Sequence, residues 1–167
     1  MFNKKSQIEL KRDLEQESFK RITCSFYRYV DIVNPKEFRN RLYQKFSHLN
    51  ILGRVYVANE GINAQISVPE QNWARLKDYI NSEDLLSGIK LKKAIQEGSY
   101  CIKLKILVKN EIVAYGVHQN SYDMDYVGQH LSAKDFNESI KQKGSIVVDM
   151  RNYYESEVGR FKNAITP

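Results

Sequence analysis

Apolar and polar residues begin to alternate at Ile22. Ile22, Cys24 and Phe26 fall on one face, and Thr23, Ser25, Tyr27 and Tyr29 on the other. A period of two predicts a strand buried on one side. Asn34-Pro35 then supplies an N-cap followed by proline at the first helical position. Phe38, Leu42, Phe46 and Leu49 recur at helical spacing, which predicts an amphipathic helix over 35–49. Alternation returns with Val55 and Val57 against Arg54 and Tyr56. After Asn59-Glu60-Gly61 it continues with Ile62, Ala64, Ile66 and Val68. Two such runs around a glycine-bearing turn predict a hairpin. Pro69 opens a second helix, to about residue 82, with Trp73, Leu76 and Ile80 as its stripe. Ile89-Lys90-Leu91-Lys92 and the run Cys101 to Ile106 read as two more strands, joined near Glu97-Gly98-Ser99.

The predicted order is β-α-β-β-α-β with one extra strand. This is the split βαβ arrangement of an α+β, ferredoxin-like (acylphosphatase-like) domain, an antiparallel sheet with two helices on one face. The expected organisation is a charged arm over 1–20, this domain over 21–113, a linker with a short helix over 114–143, and a further piece over 144–167. Gly116, Asn120, Ser121, Asp123, Asp125 and Gly128 are turn formers in that linker, and Ser132 with Asp135 resembles a capping box.

With the helices over Cys24, Phe26, Val55, Val57, Ile102 and Leu104, the pleat assigns the opposite face. Tyr27, Arg54, Tyr56, Lys90, Lys92, Lys103 and Lys105 belong there, beside Tyr29, Asn63 and Gln65. Aromatic rings interleaved with cations on a flat sheet suit single-stranded RNA, rings stacking on bases and cations meeting phosphates. The bland alternative is a solvated or protein-covered face, since tyrosines are simply good strand formers.

The 167 residues carry a formal charge of +6, which favours polyanionic partners. No apolar run approaches a membrane span of roughly 18 residues or more, and the N-terminus lacks a signal-peptide core. A cytoplasmic location is the default expectation. Cys24 and Cys101 stand far apart, and His48, His118 and His130 are isolated, so no metal ligand set is expected. Neither cysteine has an activating neighbour in sequence, so no catalytic residue is assigned within this chain. Gly53-Arg54-Val55 invites comparison with the acylphosphatase phosphate loop, but the remaining loop residues are missing.

The chain closes on Ile146-Val147-Val148, Asp149, Arg151, Glu155, Gly159 and Ala164. A strand ending in D-x-R, with a glutamate four residues later, resembles the first signature of a rhodanese domain. Arg160 and Asn163 replace the usual histidine and second glycine of that run. On residue spacing alone, Arg151 is expected to pair with Glu155 and brace the strand-to-helix turn. One apolar strand cannot complete a doubly wound sheet. The expectation is therefore an N-terminal portion of a longer polypeptide, with the remainder of its rhodanese domain as a partner.

Four stretches in order, "SFYRYVDI", "GRVYVANEGINAQISVP", "LSAKDFN" and "VVDMRNYYESEVGRFKNAI", together resemble the rhodanese-type tRNA uridine(34) hydroxylase family. The likeness covers about residues 21–166. It implies an enzyme that converts wobble uridine to 5-hydroxyuridine with molecular oxygen as co-substrate, acting at the tRNA anticodon region. It also implies a catalytic cysteine in a later C-x-x-G-x-R-C loop, beyond Pro167, so that this segment alone is inactive. Asp149, Arg151 and Glu155 then belong to the rhodanese scaffold. A rhodanese-type sulfurtransferase and a non-catalytic RNA- or protein-binding module are the alternatives. Other cofactors and the oligomeric state stay open.

Overall fold

The computed structural model describes residues 5–94, 101–113, 126 and 128–166. The chain divides into two units, Met1–Ser121 and Tyr122–Pro167. In the first, the elements are α1 (Gln7–Glu15), β1 (Arg21–Tyr29), α2 (Pro35–His48), β2 (Leu52–Ala58) and β3 (Gly61–Pro69). A 3-10 turn (Glu70–Asn72) leads into α3 (Trp73–Ser82), and β4 (Lys92–Lys93) and β5 (Leu104–Val108) follow. The second unit holds α4 (Ala133–Ser139) and α5 (Tyr153–Val158).

Strand order in the sheet is β4-β1-β3-β2-β5. The first four are antiparallel neighbours, in the order of a ferredoxin-like domain. The fifth corrects the expected all-antiparallel sheet: β5 pairs with β2 in parallel. β4 and β5 are therefore not a hairpin but the two opposite edges. Ile89 and Leu91 pack partly against the core, and only Lys92–Lys93 pairs with β1, so Lys90 precedes the strand that was expected to contain it. The expected join near residues 97–99 and the turn formers of 114–125 lie outside the described residues.

One apolar layer holds this unit together. Cys24 and Phe26 of β1, Val55 and Val57 of β2, and Ile62, Ala64, Ile66 and Val68 of β3 meet Phe38, Leu42 and Phe46 of α2 and Leu76 and Ile80 of α3. Both helices thus lie on one face of the sheet. Phe46 meets Tyr79 edge-on, with ring centroids 6.3 Å apart. Trp73, expected to be buried, is only half-buried, because it sits at the start of α3 with the Lys93 ammonium 4.8 Å from its ring centroid.

The entry to α2 is built as the sequence predicts: the Asn34 side chain accepts from the Glu37 amide at 3.2 Å, and Pro35 opens the helix. The arm contains a true helix, α1, with a reciprocal Ser6–Glu9 capping box. Just after it, Arg21 donates Nε and Nη2 to the Glu17 carboxylate at 2.6 Å each, and Nη1 to the carbonyls of Asn50 and Ser67. The arm is thereby tied to the point where β1 begins.

In the second unit Val148 forms a parallel bridge with Ile165. The Asp149 amide donates to the Ile165 carbonyl at 2.8 Å, and the Ile165 amide to the Val147 carbonyl at 2.9 Å. The closing apolar strand therefore has a partner within the chain. Ser132 caps α4 through the Asp135 amide, and Phe136 of that helix packs on Phe161 at 4.9 Å between centroids.

Candidate nucleic-acid interface

The face of the sheet turned away from α2 and α3 is read most directly through the strand register. One row crosses all five strands: Lys92, Ser25, Gln65, Arg54 and Lys105 stand opposite one another in turn. At the usual strand spacing of about 4.8 Å, the row is about 19 Å long. The next row is Tyr27, Asn63, Tyr56 and Leu107. On the other side, Thr23 faces Ser67, which faces Leu52. Lys103 immediately precedes β5, and its carbonyl accepts from the Gly53 amide at 3.1 Å.

Cations and rings on this face are already in contact. The Lys92 ammonium lies 5.6 Å from the Tyr27 ring centroid, and that of Lys109 lies 5.8 Å from Tyr56. Both are cation–π distances. Tyr27 is 59% exposed, Tyr56 is half-buried, and Arg54, Lys103 and Lys105 are exposed. Lys90, outside the strand, is exposed without a position in either row.

The face is less open than alternation alone implies. Asn63 donates its amide to the Ile112 carbonyl at 3.4 Å, and the Ile112 amide donates to the buried Glu60 carboxylate at 2.7 Å. Residues after β5 therefore fold back toward the Tyr27–Tyr56 row. Cys101 shares a cavity with Thr23, Ser25, Gln65 and Ser67, so residues just before β5 cover the opposite end. Lys5 and Leu10 of the arm face Arg54, Gln65, Lys103 and Lys105 across a second cleft. The sequence carried no signal for these three coverings, because alternation within strands does not report which residues outside them come to lie against a face.

Of the two cysteines, Cys24 is in the core, and burial pushes its thiol up to about 12. Cys101 is half-buried on the far face. Among the described residues, no group of three or more His, Cys, Asp or Glu is arranged to hold a metal ion. No described helix is long and apolar enough to cross a membrane.

At the closing D-x-R, Arg151 does not pair with Glu155. It forms a two-pronged ion pair with Asp149, at 2.9 and 2.6 Å, and donates to the Gly159 carbonyl at 2.6 Å. Glu155 instead accepts from the Asn152 amide nitrogens at 3.2 and 2.9 Å, serving the start of α5. The physical reason is reach: the two-residue separation lets the guanidinium fork fold back onto the nearer carboxylate, while the helix entry needs an acceptor of its own.

Strand order and one-sided helices define an acylphosphatase-like α+β domain. Residues 21–112 match the UPF0176 acylphosphatase like domain, just over half of the chain, and the chain belongs to that family. It is similar to proteins named tRNA uridine(34) hydroxylase. In Leptospira interrogans serogroup Icterohaemorrhagiae serovar Lai (strain 56601) the identity is 44% over 95% of this chain and 43% of the relative. In Photorhabdus laumondii subsp. laumondii it is 41% over 99% and 47%. In Salmonella newport (strain SL254) it is 41% over 99% and 48%. The chain spans about half the length of these curated relatives.

Proposed function

We propose that this chain is the N-terminal part of a tRNA-modifying enzyme that hydroxylates wobble uridine at C5, with molecular oxygen as co-substrate. In this reading residues 21–113 handle RNA and serve as scaffold, and the catalytic cysteine belongs to a part of the protein outside this chain. The similarity to named tRNA uridine(34) hydroxylases over 95–99% of the chain carries the proposal. The row of Lys92, Arg54 and Lys105 beside Tyr27 and Tyr56 supports the RNA role: phosphates meet the cations and bases stack on the rings. Ile146, Val148 and Met150 are exposed apolar residues in the second unit. They support the remainder of a rhodanese domain as their cover.

Titrating an anticodon stem-loop against the wild type, Lys103→Glu and Tyr56→Ala tests the RNA role. The lysine change is expected to weaken binding and flatten its salt dependence. The tyrosine change should cost about 1–3 kcal/mol per lost stack with little change in salt slope. Equal affinities for all three would remove this face from the RNA site. Mass spectrometry of wobble uridine in a strain lacking the full-length gene tests the reaction: loss of 5-hydroxyuridine is expected, whereas loss of a thiolated nucleoside would favour a sulfurtransferase.

A further inference from the structure

Two cavities on the sheet face away from α2 and α3 share a wall. One lies between α1 and the β2–β5 edge; its charged lining is Lys5, Arg54, Lys103 and Lys105, with no carboxylate. Lys5 pairs with Asp13, while Arg54, Lys103 and Lys105 form no ion pair among the described residues. The second cavity, about 270 Å³, has Thr23, Ser25, Ser67, Lys92 and Lys93 in its lining. Gln65 and Cys101 line both.

Ser67 is only 3% exposed, and its hydroxyl has no hydrogen-bond partner. Buried polar atoms are nearly always paired, so an unpartnered hydroxyl lining a cavity leaves a hydrogen bond open to a water or a ligand atom. The volume is near the lower end of small-molecule sites, which suits a single ring better than a whole cofactor.

We propose that the two cavities take one nucleotide of a bound RNA strand, its phosphate on the cationic side and its base among the hydroxyls. This rests on the RNA reading above. A nucleotide joins a full negative charge to a hydrogen-bonding ring; the first cavity carries four cations and no hydroxyl, and the second carries three hydroxyls beside Lys92 and Lys93. Lys92 and Lys93 can only donate, whereas the three hydroxyls and the Gln65 amide both donate and accept. The hydroxyl-lined side therefore favours a base edge bearing carbonyl oxygens, uracil or guanine over adenine. The arm becomes part of the site, since Lys5 stands on the phosphate side.

Anisotropy titrations of the full chain with short oligo(U) and oligo(A) test this. Oligo(U) should bind tighter by about fivefold or more, the smallest discrimination expected of a well-formed base contact. Ser67→Ala and, independently, Gln65→Leu should erase most of that preference, leaving the salt slope unchanged. Ser67→Ala should not lower the melting temperature, because it removes an unpaired buried hydroxyl. Lys103→Ala should weaken both oligomers alike and reduce the salt slope by about 0.7. Equal affinity of the wild type for the two oligomers, or a preference that survives both cavity variants, overturns the nucleotide assignment while leaving the RNA reading standing. Failure to bind either oligomer overturns both.

Discussion

Arg151 grips Asp149 from two residues away: Nε donates to Oδ1 at 2.9 Å and Nη2 to Oδ2 at 2.6 Å, while the Arg151 amide also donates to Oδ1 at 3.1 Å. These bonds all favour the carboxylate, and they hold Asp149 down at about 2, below its ordinary 3.8. A depressed folded value means the stabilisation is fully present above the unfolded value and is lost as pH falls through the folded one. The second unit should thus keep this support down to about pH 4 and lose it toward pH 2. Carbon-13 NMR of the Asp149 carboxyl should give a midpoint near the lower value. Arg151→Met should return it to the ordinary carboxylate range; an unchanged midpoint would rule out the ion pair as the cause.

Gly53 and Gly61 are expected to tolerate no side chain. Their φ angles are 141° and 148°, and an added Cβ would lie 2.3 Å from the Gln65 carbonyl oxygen and 2.1 Å from that of Arg28. Those neighbours are strand backbone and cannot swing aside. Gly53→Ala and Gly61→Ala should each lose about 1–3 kcal/mol or more in urea unfolding. Gly88, at φ 76° with nothing within 4 Å of the same Cβ, is the control. Its alanine variant meets only the left-handed strain, about 1–2 kcal/mol.

The elements that alternation predicted best are those whose side chains meet a single apolar layer: β1, β2 and β3, with α2 and α3 above them. Where the reading went astray, the same residues had a different neighbour. Ile89 and Leu91 are spaced like strand residues, yet they pack on the helix-side core without pairing. Neither edge of the sheet is marked in the pattern of Leu104 to Val108, so parallel pairing beside β2 was not legible. Of the proposed binding residues, Tyr27, Arg54, Tyr56, Lys92 and Lys105 follow directly from pleat and register. Ser67 does not: it lies on the same face, but nothing in the alternation marks it as buried. Arg28 was also missed: it donates to the Leu85 and Ser87 carbonyls at 3.3 and 2.9 Å and fastens the turn after α3.

The two cysteines should differ in reactivity and in what they do to stability. Burial raises the Cys24 thiol to about 12, with Lys93 pulling weakly the other way. Folding thus suppresses its ionisation, and above about pH 9 the unfolded chain gains by losing that proton, so stability should fall as pH rises. In the folded protein iodoacetamide should modify Cys101 first, with Cys24 reacting only on unfolding. Equal rates, read by peptide mass spectrometry, would contradict the buried assignment.

Phe46 has no exposure and closes the gap between α2 and α3 against Tyr79. Phe46→Ala should cost about 3–5 kcal/mol, because the removed ring leaves a cavity in a layer with little room to collapse. Differential scanning calorimetry should record a large fall in melting temperature; a shift of only a degree or two would mean that the core repacks freely.

The β4 edge carries a different consequence. It is two residues long, and both are lysines. A sheet edge offers unpaired backbone groups to any passing strand, and short, charged edges are a common defence against that. The same two lysines therefore also insulate one copy of the chain from the next. A variant stripped of Lys92 and Lys93 should lose colloidal stability, so in a test of the proposed RNA role a falling signal from it would have to be separated from protein leaving solution.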